Sequence, residues 1–91
     1  MGSKSKKLLA SMRQSKAGRR RNDIVRLLTG FGFIMRAGKK YDIISHPDYP
    51  ELCMNLTRSS GELATGWVAT AVKLVDKLQE LQIKGEEANG N

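Results

Sequence analysis

Few side chains in this chain can do acid–base or nucleophilic chemistry, and most of its functional groups are cations. His46 is the only histidine and Cys53 the only cysteine. A histidine, which titrates at about 6.5 when unperturbed, moves protons in both directions near neutral pH. Here it opens His46–Pro47–Asp48–Tyr49–Pro50, where two prolines stop any strand, and it reads as a turn residue stacked on Pro47 or hydrogen-bonded to the loop. A single thiol closes no internal disulfide and builds no thiolate cage, so Cys53 reads as a strand residue among apolar neighbours. No metal and no cofactor are expected. The cations are grouped: Arg19–Arg20–Arg21 follow Gly18, Arg36, Lys39 and Lys40 flank Ala37–Gly38, and Arg58 precedes Ser59–Ser60–Gly61. Arginine and lysine in such clusters hold phosphate oxygens. Arg58 also stands ahead of a helix start with hydroxyls beside it, an arrangement that receives phosphate or serves as an ordinary capped loop.

The cations are unevenly spread. Residues 1–40 hold twelve Lys/Arg against Asp23 alone, a local charge of +11, while residues 41–91 hold four basic and eight acidic side chains, a local charge of −4, within a net charge of +7. Such asymmetry points to a polyanionic partner; the alternative is a solvated basic tail that aids solubility. A chain of 91 residues buries too modest a core to divide, so one domain is expected and a large multi-domain enzyme is excluded. No apolar run approaches the roughly 18 residues a membrane span needs, and the opening Met1–Gly2–Ser3–Lys4–Ser5–Lys6 lacks the hydroxyl residue of a myristoylation signal. The expected location is the cytoplasm.

The cations are positioned by a short series of elements. Leu8, Leu9 and Met12 give a narrow apolar stripe to a short helix inside a basic lead-in, residues 1–21, in which residues 14–21, with Gly18 followed by Arg19–Arg20–Arg21, read as a basic connector that could order on a partner. Asn22 suits an N-cap, Asp23 the first turn, Ile24, Leu27 and Leu28 one helix face, and Gly30 the stop. Phe31, Phe33 and Met35 alternate as one face of a strand, residues 40–45 are β-branched and aromatic, and Leu52, Met54 and Leu56 give a third strand one buried side. Thr65 is a candidate N-cap for a helix to about Leu81, with its apolar stripe at 67, 68, 71, 74, 75, 78 and 81. Trp67, beside Val68 and Ala71, suits the core better than a base-stacking platform, and Tyr49 suits either role. Residues 85–91 have nothing to bury and read as a disordered tail. The domain is therefore placed at 22–84, an α+β fold with a three-stranded antiparallel meander and helices on one face, as in double-stranded-RNA-binding domains.

Short motifs stand in a fixed order along this framework: Gly32–Phe33, then Gly38–Lys39–Lys40–Tyr41–Asp42–Ile43, then His46–Pro47, then Glu62–Leu63–Ala64–Thr65–Gly66–Trp67–Val68. The succession resembles the HicA family of toxin–antitoxin ribonucleases. In that family a Gly-Phe step ends a helix and leads to a Gly-Lys-His or Gly-Ser-His turn, a strand closing at His-Pro, and a late Glu-Leu-x-x-Gly-x-Val. The opening Gly2–Arg13 is similar to the lead-in of a longer HicA-like subgroup, and the likeness spans most of residues 2–82. The family normally carries its catalytic histidine six residues before the proline of His-Pro. Here that position is Tyr41, or Lys40 in a shifted register.

The resemblance implies a metal-independent endoribonuclease with a HicB-like antitoxin as partner, and the substitution alters what such a site can do. Tyrosine titrates near 10, so about one phenol in a thousand is ionised at pH 7, and a general base is largely missing. A neutral phenol still donates a hydrogen bond, and Arg36, Lys39 and Lys40 can stabilise developing charge. The expectation is an RNA-binding HicA-like toxin or toxin relative with mRNA cleavage weak or lost, its phosphates held by Arg36, Lys39, Lys40, Arg58 and Arg19–Arg21. The alternatives are a non-catalytic module that recruits a protein or nucleic acid, and a small DNA-binding protein.

Overall fold

Ile24, Leu27 and Leu28 recur at helical spacing, and all three are fully buried in the computed structural model, which describes residues 3–59 and 61–89. The elements run α1 (Ser3–Gln14), α2 (Arg21–Gly30), β1 (Ile34–Ala37), β2 (Asp42–Ser45), β3 (Cys53–Leu56) and α3 (Thr65–Asn89). The class is α+β. The strands form an antiparallel meander in the order β1-β2-β3, with Ala37 opposite Asp42 and Asp42 opposite Leu56. Strand parity puts Ile44, Met54 and Leu56 on one face, where they join Ile24, Leu27, Leu28, Val68, Val75 and Leu78 in a single core. Ile34, Arg36, Ile43, Cys53 and Asn55 are exposed on the other face. Among the described residues no helix is long and apolar enough to cross a membrane.

The lead-in is part of this core. α1 buries Leu9 and Met12, the latter completely, and Arg13 pairs with Asp76 of α3. Its approach to α2 is close: a Cβ on Gly30 would lie 1.7 Å from the Ser5 hydroxyl oxygen, so the crossing leaves room for hydrogen and nothing larger. The connector after α1 is also held. Leu63 N–H donates to Arg19 O at 2.7 Å, and Arg20 bridges Glu62 in antiparallel fashion. Backbone pairing with 62–63 thus places Arg19 and Arg20 within the fold itself.

Several boundaries move for identifiable reasons. α2 starts before Asn22 because the Asp23 carboxylate reaches back to accept the Arg20 N–H at 2.9 Å, one half of a capping box. The helix ends in a Schellman motif: Phe33 N–H donates to Leu28 O at 3.0 Å and Gly32 N–H to Thr29 O at 3.1 Å. Gly32 occupies the left-handed position at φ +94°, so it, rather than Gly30, turns the chain out of the helix. β1 buries none of its four residues, against the expected inward Met35. It is an edge strand: Met35 lies opposite the buried Ile44, with the Arg21 guanidinium 3.7 Å from its sulfur, and stays exposed. α3 continues past Leu81 to Asn89, so the tail expected from 85 begins within helical backbone, and residues 90–91 lie outside the described residues.

Complete burial of Met12 generates a test. Met12→Ala is expected to lower the unfolding free energy by about 2–5 kcal/mol in a urea titration. A change below about 0.5 kcal/mol, typical of a surface site, would show that α1 lies outside the cooperative core.

Candidate nucleic-acid interface

The sheet register carries an acidic residue to the inner face. Asp42 shares the parity of the fully buried Ile44 and is itself 6 % exposed. A carboxylate taken out of water in this way needs cationic partners. It has two. Oδ2 accepts from the Arg21 guanidinium at the start of α2, and Oδ1 accepts from Arg58 Nε at 3.1 Å. Arg58 also donates to the carbonyls of Gly38 and, at 3.4 Å, Lys39. One side chain from the segment after β3 therefore braces the β1–β2 turn, which Gly38 N–H closes by donating to Tyr41 O at 3.0 Å.

Around this cluster lies a cleft of about 550 Å³, lined by Arg20, Arg21, Asn22, Asp42 and Arg58, within the size range of small-ligand sites. Three guanidinium groups face one carboxylate whose two oxygens are already engaged, so the cleft has a net charge of +2. The first turn of α2 adds backbone N–H groups and the positive end of the helix dipole. Arg21 Nε is buried without a hydrogen-bond partner among the described residues.

Of the residues singled out by sequence, Arg20, Arg21 and Arg58 meet in this cleft. Lys39 and Lys40 are exposed on the turn that Arg58 braces, and Tyr41, 43 % exposed, ends that turn. Arg36 stands apart: its neighbour Ala37 pairs with Asp42, so Arg36 projects from the opposite sheet face in register with Ile43. Arg19 is committed elsewhere, to Ser15 O at 3.3 Å and the Ser11 hydroxyl at 2.6 Å. Asp42 is absent from the site residues expected from sequence. Its signal is a charged residue at an inward strand position, which folding tolerates only with a partner.

His46 is a buried turn residue at the far end of β2 from Tyr41. Its Nδ1 accepts the Asp48 N–H at 3.1 Å, and its ring packs edge-on to Phe33 at 5.2 Å and tilted to Tyr49 at 5.4 Å. Tyr49 and Trp67 are half-buried against the core, while Cys53 faces outward. Among the described residues no three His, Cys, Asp or Glu side chains gather as a metal-ligating group. No known protein family matches the chain, nor does any curated protein or solved structure.

The ion cluster has a pH signature. Hydrogen bonding from Arg21, and then from Arg58, holds the Asp42 carboxyl below its ordinary value against the opposing effect of burial. A carboxyl depressed by folding stabilises the native state above its unfolded pKa of about 3.9 and loses that contribution as pH falls below it. Acid titration of the unfolding midpoint is expected to drop below about pH 4 in the wild type and more shallowly in Asp42→Asn. Superimposable acid limbs would show that Asp42 is not so coupled.

Proposed function

We propose that the chain is a cytoplasmic RNA-binding protein of HicA-like type, a toxin or toxin relative in which mRNA cleavage is weak or lost. The observation that carries this reading is the gathering of Arg20, Arg21 and Arg58 in one cleft beside the turn bearing Lys39, Lys40 and Tyr41. Five cations from three separate stretches of sequence converge on one side of the molecule, which suits a phosphate backbone better than a solvated tail does. The chemistry of cleavage is thinner. The only histidine is engaged in its own loop at the other end of β2, which leaves a phenol and ammonium groups beside a bound strand. Those groups hold and polarise a phosphate.

The partner expected by resemblance is a HicB-like antitoxin. A second reading, a module that binds protein without cleaving RNA, has its own support. Ile34, Tyr41 and Ile43 are each about two-fifths exposed on or beside the outer sheet face, an apolar surface of the kind that partners cover. A DNA-binding reading has no comparable feature and is tested by competition between RNA and DNA duplexes.

RNA binding is expected to weaken steeply with salt. With five cations engaged, log affinity falls against log salt with a slope of about −3.5 on single strands, and Lys39→Gln or Lys40→Gln lowers it by about one phosphate contact each. Affinity unchanged between about 50 and 200 mM salt would refute the reading. In parallel, wild type and Tyr41→Phe are expected to leave RNA intact or cleave it slowly. Rapid cleavage by the wild type that Tyr41→Phe abolishes would show that catalysis survives through the phenol.

A further inference from the structure

The charge of the cleft at the start of α2 suits one kind of phosphate more than another. We infer that it is a subsite for a terminal phosphomonoester of a nucleic-acid strand, rather than for an internal phosphodiester; this rests on the RNA-binding reading and sharpens it.

Charge is the first argument. Arg20, Arg21 and Arg58 against Asp42 leave a net +2. A phosphodiester carries one negative charge and leaves the cleft half-neutralised, whereas a phosphomonoester, with a second pKa near 6, approaches −2 at pH 7 and matches it. Donor supply is the second. Asp42 engages one edge of each of two guanidinium groups and orients them. The Arg20 side chain lines the cleft and makes no hydrogen bond among the described residues, so its donors are unengaged. Three peripheral oxygens of a monoester satisfy more of these donors than the two of a diester.

The cleft is bounded by the first turn of α2 and by Arg58, which is tied to the carbonyls of Gly38 and Lys39. Lys39 and Lys40, exposed on the adjoining turn, offer cations to the phosphates that follow the terminal one. Asp42 is thus a positioning residue, because it fixes two of the arginines and touches no ligand itself.

The experiment compares one RNA decamer, labelled internally, in three forms: 5′-phosphate, 3′-phosphate, and hydroxyl at both ends. Fluorescence anisotropy at pH 7.5 is expected to show one phosphorylated form bound about tenfold tighter than the hydroxyl form, and which form that is identifies the end. The preference is expected to shrink to within about twofold in Arg20→Gln and in Arg58→Gln. It is also expected to shrink in the wild type at pH 5, where the monoester loses its second charge. Arg20→Gln guards against misfolding, since that side chain makes no hydrogen bond among the described residues. Equal binding of all three forms, alongside salt-sensitive affinity, would overturn the subsite and leave the RNA-binding reading standing. Failure of all three to bind at low salt would overturn that reading and the subsite with it.

Discussion

The molecule is organised around one carboxylate that has been taken out of water. Asp42 lies on the inner face of β2 and is held from two directions, by Arg21 at the start of α2 and by Arg58 after β3. A buried, doubly bridged ion contributes little net stability over an apolar substitute, but removing one partner leaves an uncompensated charge. Its effect is therefore on arrangement. Three segments distant in sequence are fixed relative to one another, and the β1–β2 turn is pinned by the same arginine that serves the carboxylate. The inner face of the sheet is accordingly divided. Ile44, Met54 and Leu56 belong to the hydrophobic core, whereas the Asp42 end is ionic and opens to solvent through the arginine cleft.

β1 lies at the edge because the meander pairs it with β2 alone. Met35 stays exposed there although it lies opposite Ile44, with the Arg21 guanidinium beside its sulfur, and the two glycines at the end of α2 set how β1 is reached. Gly30 admits α1 to van der Waals distance and Gly32 reverses the chain. The local rules and the tertiary fold agree on the helix and conflict on the strand, and the conflict falls next to the candidate site. Strain on local rules concentrates where side chains serve something other than packing.

The parts of the fold legible in the sequence are those set by periodicity. α2, β3 and α3 as far as Leu81 follow from apolar spacing, because the face that repeats is the face that is buried, whereas β2 follows from its β-branched and aromatic residues between two turns. Docking of α1 does not follow. Three apolar residues make too narrow a stripe to specify a neighbour, and the contact depends on Ser5 fitting against Gly30, which only the packed structure supplies. The cleft was legible as a list of cations but not as a place. Arg20, Arg21 and Arg58 come together through the register of Ala37, Asp42 and Leu56 across three strands, and no local pattern encodes that alignment. Arg36 shows the converse: near Lys39 in sequence, it is placed on the other face by the period of two.

The central claim is that the ionic end of the sheet, and not its apolar outer face, receives RNA. Amide chemical-shift mapping during titration with single-stranded RNA tests it in one experiment. The expected perturbations cluster at Arg20–Asn22, Lys39–Lys40 and Arg58. Shifts concentrated at Ile34, Ile43 and Cys53 on the opposite face, with the arginine cleft undisturbed, would contradict the account.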